Sequence, residues 1–243
     1  MNNTQSTNKH YFRFKQFSVT DQNCGMKIGT DGVLLGAIAA KKKCNNVLDI
    51  GTGSGVIALM IAQKQPALIE CVEIDPSSFN DAMHNVERSP WSNRIKLFRT
   101  SFQEYASFSN KRFDLIVCNP PFFHNSMKAS DIRRTKARHS DSLPLNDIFS
   151  GVSKLLTGKG CFLIIIPATQ YNYVNNLLRE SSLYINEEWV IRPNPEKEMH
   201  RVVLSGSKTL GETSTLKHEV AIETGVRHQY TQEYRSLTGD YYL

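Results

Sequence analysis

The sequence lacks the features that would tie a chain to a membrane, a disulfide framework or a metal. Its longest apolar runs, Ile57–Ala62 and Cys161–Ile166, are about a third of the ~20 residues a spanning helix needs, so no transmembrane helix is expected. The opening MNNTQSTNKH has neither the basic start nor the apolar centre of a secretory signal, and residues 1–10 read as a disordered polar tail. Five cysteines, at positions 24, 44, 71, 118 and 161, are odd in number, scattered and without a CxxC pair, which fits reduced thiols in a cytoplasm rather than bridges or a zinc site. His84, His124 and His200 show no metal-ligand spacing either, so no metal is expected. With 40% hydrophobic and 21% charged residues, the chain is outside the composition of disordered proteins. A formal charge of +6 favours polyanionic partners but says nothing of chemistry.

What is present is a regular alternation. From residue 46, short β-branched runs (Asn46–Ile50, Leu68–Ile74, Ile95–Arg99, Phe113–Cys118, Gly160–Pro167) alternate with amphipathic stretches (Ser54–Gln63, Pro76–Glu87, Leu145–Leu156, Gln170–Ser181). This spacing predicts βαβ units and a mostly parallel α/β sheet with helices on both faces. Pro76 suits a first helical turn and Gly158 a C-terminal stop. Trp189–Arg192 and His200–Ser205 flank a turn-rich segment and predict an antiparallel ending to that sheet. A chain of 243 residues accommodates one such domain. We therefore expect a single domain over 11–243, with 11–45 as an N-terminal cap segment and 46–243 as the core.

Two segments carry chemistry. Val47-Leu48-Asp49-Ile50-Gly51-Thr52-Gly53-Ser54-Gly55 runs off a strand into a helix, and its glycines allow close backbone approach to a ligand. A dinucleotide loop would have its third glycine at position 56, which is Val. The pattern DxGxGxG instead resembles the cofactor loop of class I methyltransferases, which implies S-adenosylmethionine as cofactor, with S-adenosylhomocysteine as product. Asp49, Gly51, Gly53 and Gly55 become cofactor-binding candidates, Asp49 near the positive end of the ligand. Val72-Glu73-Ile74-Asp75 ends the next strand, where a carboxylate can accept from both ribose hydroxyls; Glu73 is preferred to Asp75. Ser101, at the end of the third strand, replaces an Asp frequent in that superfamily and is not counted as a ligand.

Asn119-Pro120-Pro121-Phe122 follows the fourth strand, at the same sheet edge as the glycine loop. An adenine or amide nitrogen is a poor nucleophile because its lone pair is delocalised. Acceptors on its two N–H bonds localise that pair, and the Asn119 side-chain oxygen and the Pro120 carbonyl could serve. Asn119 is thus a candidate for both catalysis and cofactor contact, and Pro120 and Phe122 are candidates for catalysis, Phe122 as a stacking platform for the base. Cys118 precedes the motif at a strand end, where a buried structural thiol is expected, which disfavours methylation at carbon through a cysteine nucleophile.

Over nearly its whole length the sequence resembles the bacterial tRNA1(Val) adenine-37 N6-methyltransferases. The resemblance rests on FRFKQF (12–17), MKIGTDGVLLG (26–36), VLDIGTGSGVIALMIAQ (47–63), SPW (89–91), FDLIVCNPPFF (113–123), RRTKARH (133–139), HRVVL (200–204) and the C-terminal YTQEYRSLTGDYYL. It implies a Rossmann-like seven-stranded sheet with an antiparallel last strand, S-adenosylmethionine as donor, and N6 of adenosine 37 in the anticodon loop of one valine tRNA as acceptor. It also implies cofactor contact by Thr30 and Asp31, either of which could otherwise cap a helix starting at Gly32. On the residues alone, a protein glutamine amide, a ribosomal RNA guanine or a DNA adenine remain open as acceptors. So does an RNA-binding module with an inactive methyltransferase fold.

Lys128, Arg133, Arg134, Lys136 and Arg138 follow the catalytic motif and are candidates for tRNA phosphate contact. Lys41–Lys43 suits the end of the helix Gly32–Ala40 through its dipole. FRFKQF reads as a half-buried edge strand, and Trp91 and the Tyr-rich C-terminus as packing. No membrane and no obligate protein partner are indicated, and a monomer is expected.

Overall fold

The computed structural model describes residues 11–121, 143–211 and 214–243. A small antiparallel pair opens it, β1 (Phe12–Arg13) and β2 (Ser18–Val19). The aromatics of FRFKQF explain why so short a pair persists. Phe14 and Phe17 are buried and stack with centroids 4.5 Å apart, and Phe14 also stacks on Tyr242. Helix α1 (Thr30–Ala39) follows, and every residue from Gly32 to Ala39 is buried. A helix apolar all round belongs inside a fold, and α1 packs against α2 (Val56–Lys64). Gly36 permits that approach, since a Cβ there would lie 2.7 Å from the Met60 sulfur.

The alternation expected from residue 46 is present. Strand β3 (Asn46–Ile50) leads into α2, then come β4 (Leu68–Glu73), α3 (Pro76–Glu87), β5 (Ile95–Arg99), α4 (Phe102–Phe108) and β6 (Phe113–Cys118). After residue 143 follow α5 (Leu145–Leu155), β7 (Leu156–Pro167), α6 (Tyr171–Glu180), β8 (Tyr184–Arg192), β9 (Arg201–Ser207), β10 (Leu216–Ala221) and α7 (Gln232–Thr238). The sheet order is β10-β8-β9-β7-β6-β3-β4-β5. All its neighbours are parallel except β9, which runs antiparallel to both β7 and β8.

Alternate side chains feed two cores. Val47, Leu115, Val117, Leu163 and Ile165 meet α1, α2 and α7 on one face. Leu48, Ile50, Ile116, Cys118, Ile164 and Ile166 meet α4, α5 and α6 on the other. This is the Rossmann-like class expected, with helices on both faces.

Three details correct the expectation. The sheet has eight strands among the described residues, not seven, and the antiparallel β9 is followed by β10, parallel to β8. Strand β10 escaped notice because Lys217 and Glu219 interrupt it and only Val220 is buried, as suits an edge strand. Gly158 does not end a helix: α5 stops at Leu155, and residues 157–160 take up an irregularity in the β6–β7 pairing between Phe113 and Leu115. Helix α4 was unforeseen and is short; Ser101 caps it by accepting from the Glu104 N–H at 3.1 Å. Among the described residues no helix is long and apolar enough to cross a membrane.

Chain order reverses between β3 and β6: the chain leaves β3 toward β4 and β5, then crosses back to β6. Ligands of such sheets bind at the carboxyl ends of the strands beside this switch point. The glycine loop follows β3 and Asn119 follows β6, so the fold brings the two motifs side by side.

Candidate active site

At that edge lies a cleft of about 1060 Å³, at the top of the ~300–1,000 Å³ usual for small-molecule sites. One side is built by the glycine loop. Gly51, Gly53 and Gly55 have φ of 66°, 57° and 80°, which glycine adopts at little cost and other residues rarely do. A Cβ on Gly51 or Gly53 would meet nothing within 4 Å, so the backbone face there is open to a ligand. The loop is tied to β4 by Gly51 and Thr52 N–H bonds to the Val72 carbonyl at 2.9 and 3.1 Å.

Glu73 closes the same corner. Its carboxylate accepts the Gly53 N–H at 2.8 Å and the Asp75 N–H at 2.9 Å, and it lines the cleft. Each carboxylate oxygen has a second lone pair for a ligand hydroxyl. Asp75 is otherwise occupied, capping α3 through the Ser78 N–H at 2.7 Å.

Asp49 sits behind this wall rather than in it. It is wholly buried, does not line the cleft, and accepts the Thr52 hydroxyl at 2.6 Å. Burial pushes its carboxyl up to about 7, the Thr52 bond opposing and the Glu73 charge adding to the rise. Thr52 is thereby held in the lining.

The other side of the cleft begins at Asn119, Pro120 and Pro121. The Asn119 amide nitrogen lies 3.8 Å from the Met26 sulfur, a weak contact, while its buried side-chain oxygen has no hydrogen-bond partner among the described residues. Such orphan acceptors cost stability and are rare. Cys118 is buried, and desolvation raises its thiol far above the ordinary value, so it carries no ready thiolate.

The N-terminal segment forms a strap over the site. Buried Asn85 of α3 accepts the Thr20 N–H at 2.9 Å and donates to the carbonyls of Thr20 and Ser54, joining strap and glycine loop. Buried Asp81 accepts the Asn23 backbone and side-chain N–H groups at 2.7 and 2.9 Å. Residues 25–32 then line the cleft. Thr30 and Asp31 are both there, but neither caps the helix, because α1 starts at Thr30 with Gly29 at the cap position. The Asp31 carboxylate accepts from Arg201 Nε at 2.8 Å.

Sequence reasoning missed Asn85, Asp81 and Met26, and the far wall made by Ile191, Pro193, His200, Arg201 and Ile222. A polar pair four residues apart beside Ser78 and Ala82 on a helix face was the available signal for Asp81 and Asn85. Nothing local marked the far wall, which is assembled at the ends of β8, β9 and β10. Phe122, Lys128, Arg133, Arg134, Lys136 and Arg138 lie outside the described residues, as do His124 and residues 1–10.

Comparison with known proteins places the chain in a family. The family model described as the methyltransferase small domain matches residues 24–177. A protein of Parabacteroides distasonis named tRNA1(Val) (adenine(37)-N6)-methyltransferase is 39% identical, covering 96% of this chain and 98% of its own. Proteins of the same name from Trichodesmium erythraeum and Yersinia enterocolitica are 40% and 37% identical over 96% of this chain, and over 97% and 92% of theirs. Among solved structures, a predicted O-methyltransferase from Agrobacterium tumefaciens superposes with a TM-score of 0.64 at 16% identity, covering 87% of this chain and 96% of that one. A putative RNA methyltransferase from Pyrococcus horikoshii gives 0.52 at 18%, over 74% and 82%; these two speak for the fold alone. With a glycine loop and an Asn-Pro-Pro segment facing one cleft, and with relatives this similar over nearly the full length, the chain belongs to the methyltransferase small domain family and, within it, to the tRNA1(Val) (adenine(37)-N6)-methyltransferases.

Proposed function

We propose that this protein transfers a methyl group from S-adenosylmethionine to N6 of adenosine 37 in the anticodon loop of tRNA1(Val). The observation that carries the reading is the buried, unpartnered Asn119 oxygen beside the glycine-loop cleft. A folded protein keeps such an acceptor at a cost, and an exocyclic amine is a donor that would satisfy it.

The residues present fit the donor. The open backbone face of the Gly51–Gly55 loop would lie along its amino-acid end, the Glu73 carboxylate would accept from its ribose hydroxyls, Thr30 would border it from the strap, and Asp49 would act through Thr52 and its charge. When bound, S-adenosylmethionine supplies an electrophilic methyl group. The chain supplies positioning and charge stabilisation. Asn119 Oδ1 accepts one N6–H bond and the Pro120 carbonyl the other, so the nitrogen lone pair turns out of conjugation and the positive charge gained on alkylation is met by two fixed dipoles. The surplus proton then leaves the nitrogen for water. Pro120 and Pro121 have no N–H to compete for local acceptors, and their rings stiffen the turn.

Phe122 is assigned to stacking on the base, and Phe122→Ala should raise KM for tRNA, since such a contact is worth ~1–3 kcal/mol; unchanged KM and kcat would dismiss that role. Lys128, Arg133, Arg134, Lys136 and Arg138 are assigned to phosphate contact, and the enzyme to the cytoplasm as a monomer without an obligate protein partner. Labelled donor offered separately to total tRNA, ribosomes, release factors and DNA tests the substrate. Label in tRNA alone is expected, and label confined to protein or DNA would defeat the reading.

A further inference from the structure

Arg201 opens β9 on the far wall of the cleft, and its partner Asp31 is in the first turn of α1. The Arg201 Nε–Asp31 Oδ2 bond is 2.8 Å long, and the two side chains are only 18% and 28% exposed. A second guanidinium nitrogen donates to the His200 carbonyl at 3.2 Å, holding the head at the root of the strand. The pair joins segments 170 residues apart in sequence.

The first turn of α1 needs such a tether. Its cap position is Gly29, and no side chain there accepts the free N–H groups, so the turn lacks a side-chain cap. The turn in turn touches the reacting side of the cleft: a Cβ on Gly32, the residue after Asp31, would lie 3.9 Å from Asn119 Nδ2. The first turn is therefore packed against the Asn119 side chain and limits where that side chain can sit. Arg201 reaches that same turn from the opposite wall, through Asp31.

We propose that Arg201 is a positioning residue for methyl transfer: by its ion pair with Asp31 it latches the first turn of α1 to β9 and so fixes the acceptor slot around Asn119. The inference rests on the proposed methyl transfer to tRNA. It assigns Asp31 to the slot and not to the donor. Misplacement of reacting groups by about 1 Å can cost ~100-fold in rate, so a loosened latch should be visible in the chemical step and not in donor affinity.

The test uses the full chain, tRNA and labelled donor under single-turnover conditions, with Arg201→Gln, Arg201→Lys, Asp31→Asn and the double variant Asp31→Asn/Arg201→Gln. Calorimetry with S-adenosylhomocysteine and thermal melting run alongside. Arg201→Gln and Asp31→Asn should each slow transfer about tenfold to a hundredfold, and the double variant should be no slower than the slower single, because the Arg201–Asp31 ion pair is broken in all three. Arg201→Lys, which keeps the charge but not the forked donors, should recover part of the rate, and affinity for S-adenosylhomocysteine should stay at the wild-type value in every variant.

Multiplying single effects in the double variant would overturn the latch, as would a loss of S-adenosylhomocysteine affinity in step with the rate. A salt-dependent loss of tRNA affinity in Arg201→Gln with Asp31→Asn unaffected would show a phosphate contact instead and also overturn it. Should Arg201→Gln fail to fold by melting, Asp31→Asn and Arg201→Lys carry the same comparison. Failure of the wild-type protein to methylate tRNA would defeat the functional reading itself, whereas an active enzyme indifferent to these substitutions would defeat only the latch.

Discussion

Replacing Asp49 by Asn separates the demands of folding from those of the site. Asp49 is wholly buried on β3, with one oxygen satisfied by Thr52, and desolvation raises its carboxyl from the ordinary 3.8 to about 7. The folded chain therefore holds a proton at Asp49 between about pH 4 and pH 7 that the unfolded chain has lost. In that window stability falls as pH rises, by about 1.36 kcal/mol per pH unit, and above about pH 7 the loss is complete. Across the whole window this amounts to about 4 kcal/mol, of which about 3 kcal/mol falls between pH 5 and pH 8.

Asn cannot ionise, so this slope vanishes in the variant. Its amide adds a buried N–H group that costs ~1–3 kcal/mol if unpaired, but that cost is the same at both pH values. Urea unfolding of both proteins at pH 5 and pH 8 should show the variant gaining about 3 kcal/mol on the wild type between the two. An equal difference in stability at both pH values would refute the reasoning. Retention of a carboxylate that weakens the fold at neutral pH is what a site for a cationic donor would require, so the variant should also bind donor less well.

Two further substitutions probe the site. Asn119→Ala should lower kcat by about a hundredfold or more, the usual cost of one positioned charge-stabilising group. It should leave the melting temperature unchanged or raised, since the oxygen it removes has no partner; retained turnover measured with saturating donor would remove Asn119 from the mechanism. Asn85→Leu leaves the Thr20 N–H and the carbonyls of Thr20 and Ser54 without their bonds, a loss of at least about 2 kcal/mol by urea unfolding. It should also weaken donor binding about tenfold as the strap leaves the glycine loop, and an unchanged affinity by calorimetry would show that the strap does not shape the donor site.

The parallel core was readable because its signals are local. β-Branched runs such as Phe113–Cys118 and the glycine spacing after β3 depend on a few neighbouring residues, and all three glycines the pattern singled out in that loop have positive φ. Edge strand β10 was not readable, since one buried residue in six leaves little pattern. Helix α4 hid for a related reason: Ser101, taken as a departure from an expected acid, is the cap that starts it. The site divides the same way. The glycine loop, Glu73 and Asn119 each announce themselves within a short motif. Asp31 and Arg201 meet only because β9 is inserted between β7 and β8, and no spacing along the chain encodes that contact.

The most direct test of the account is nucleoside mass spectrometry of tRNA digested after reaction with the purified enzyme and S-adenosylmethionine, beside a parallel reaction with the Asn119→Ala variant. N6-methyladenosine mapping to position 37 of tRNA1(Val), and nearly absent from the variant reaction, is the predicted result. A methyl group on another base or at a carbon atom, or N6-methyladenosine formed equally by the variant, would contradict it.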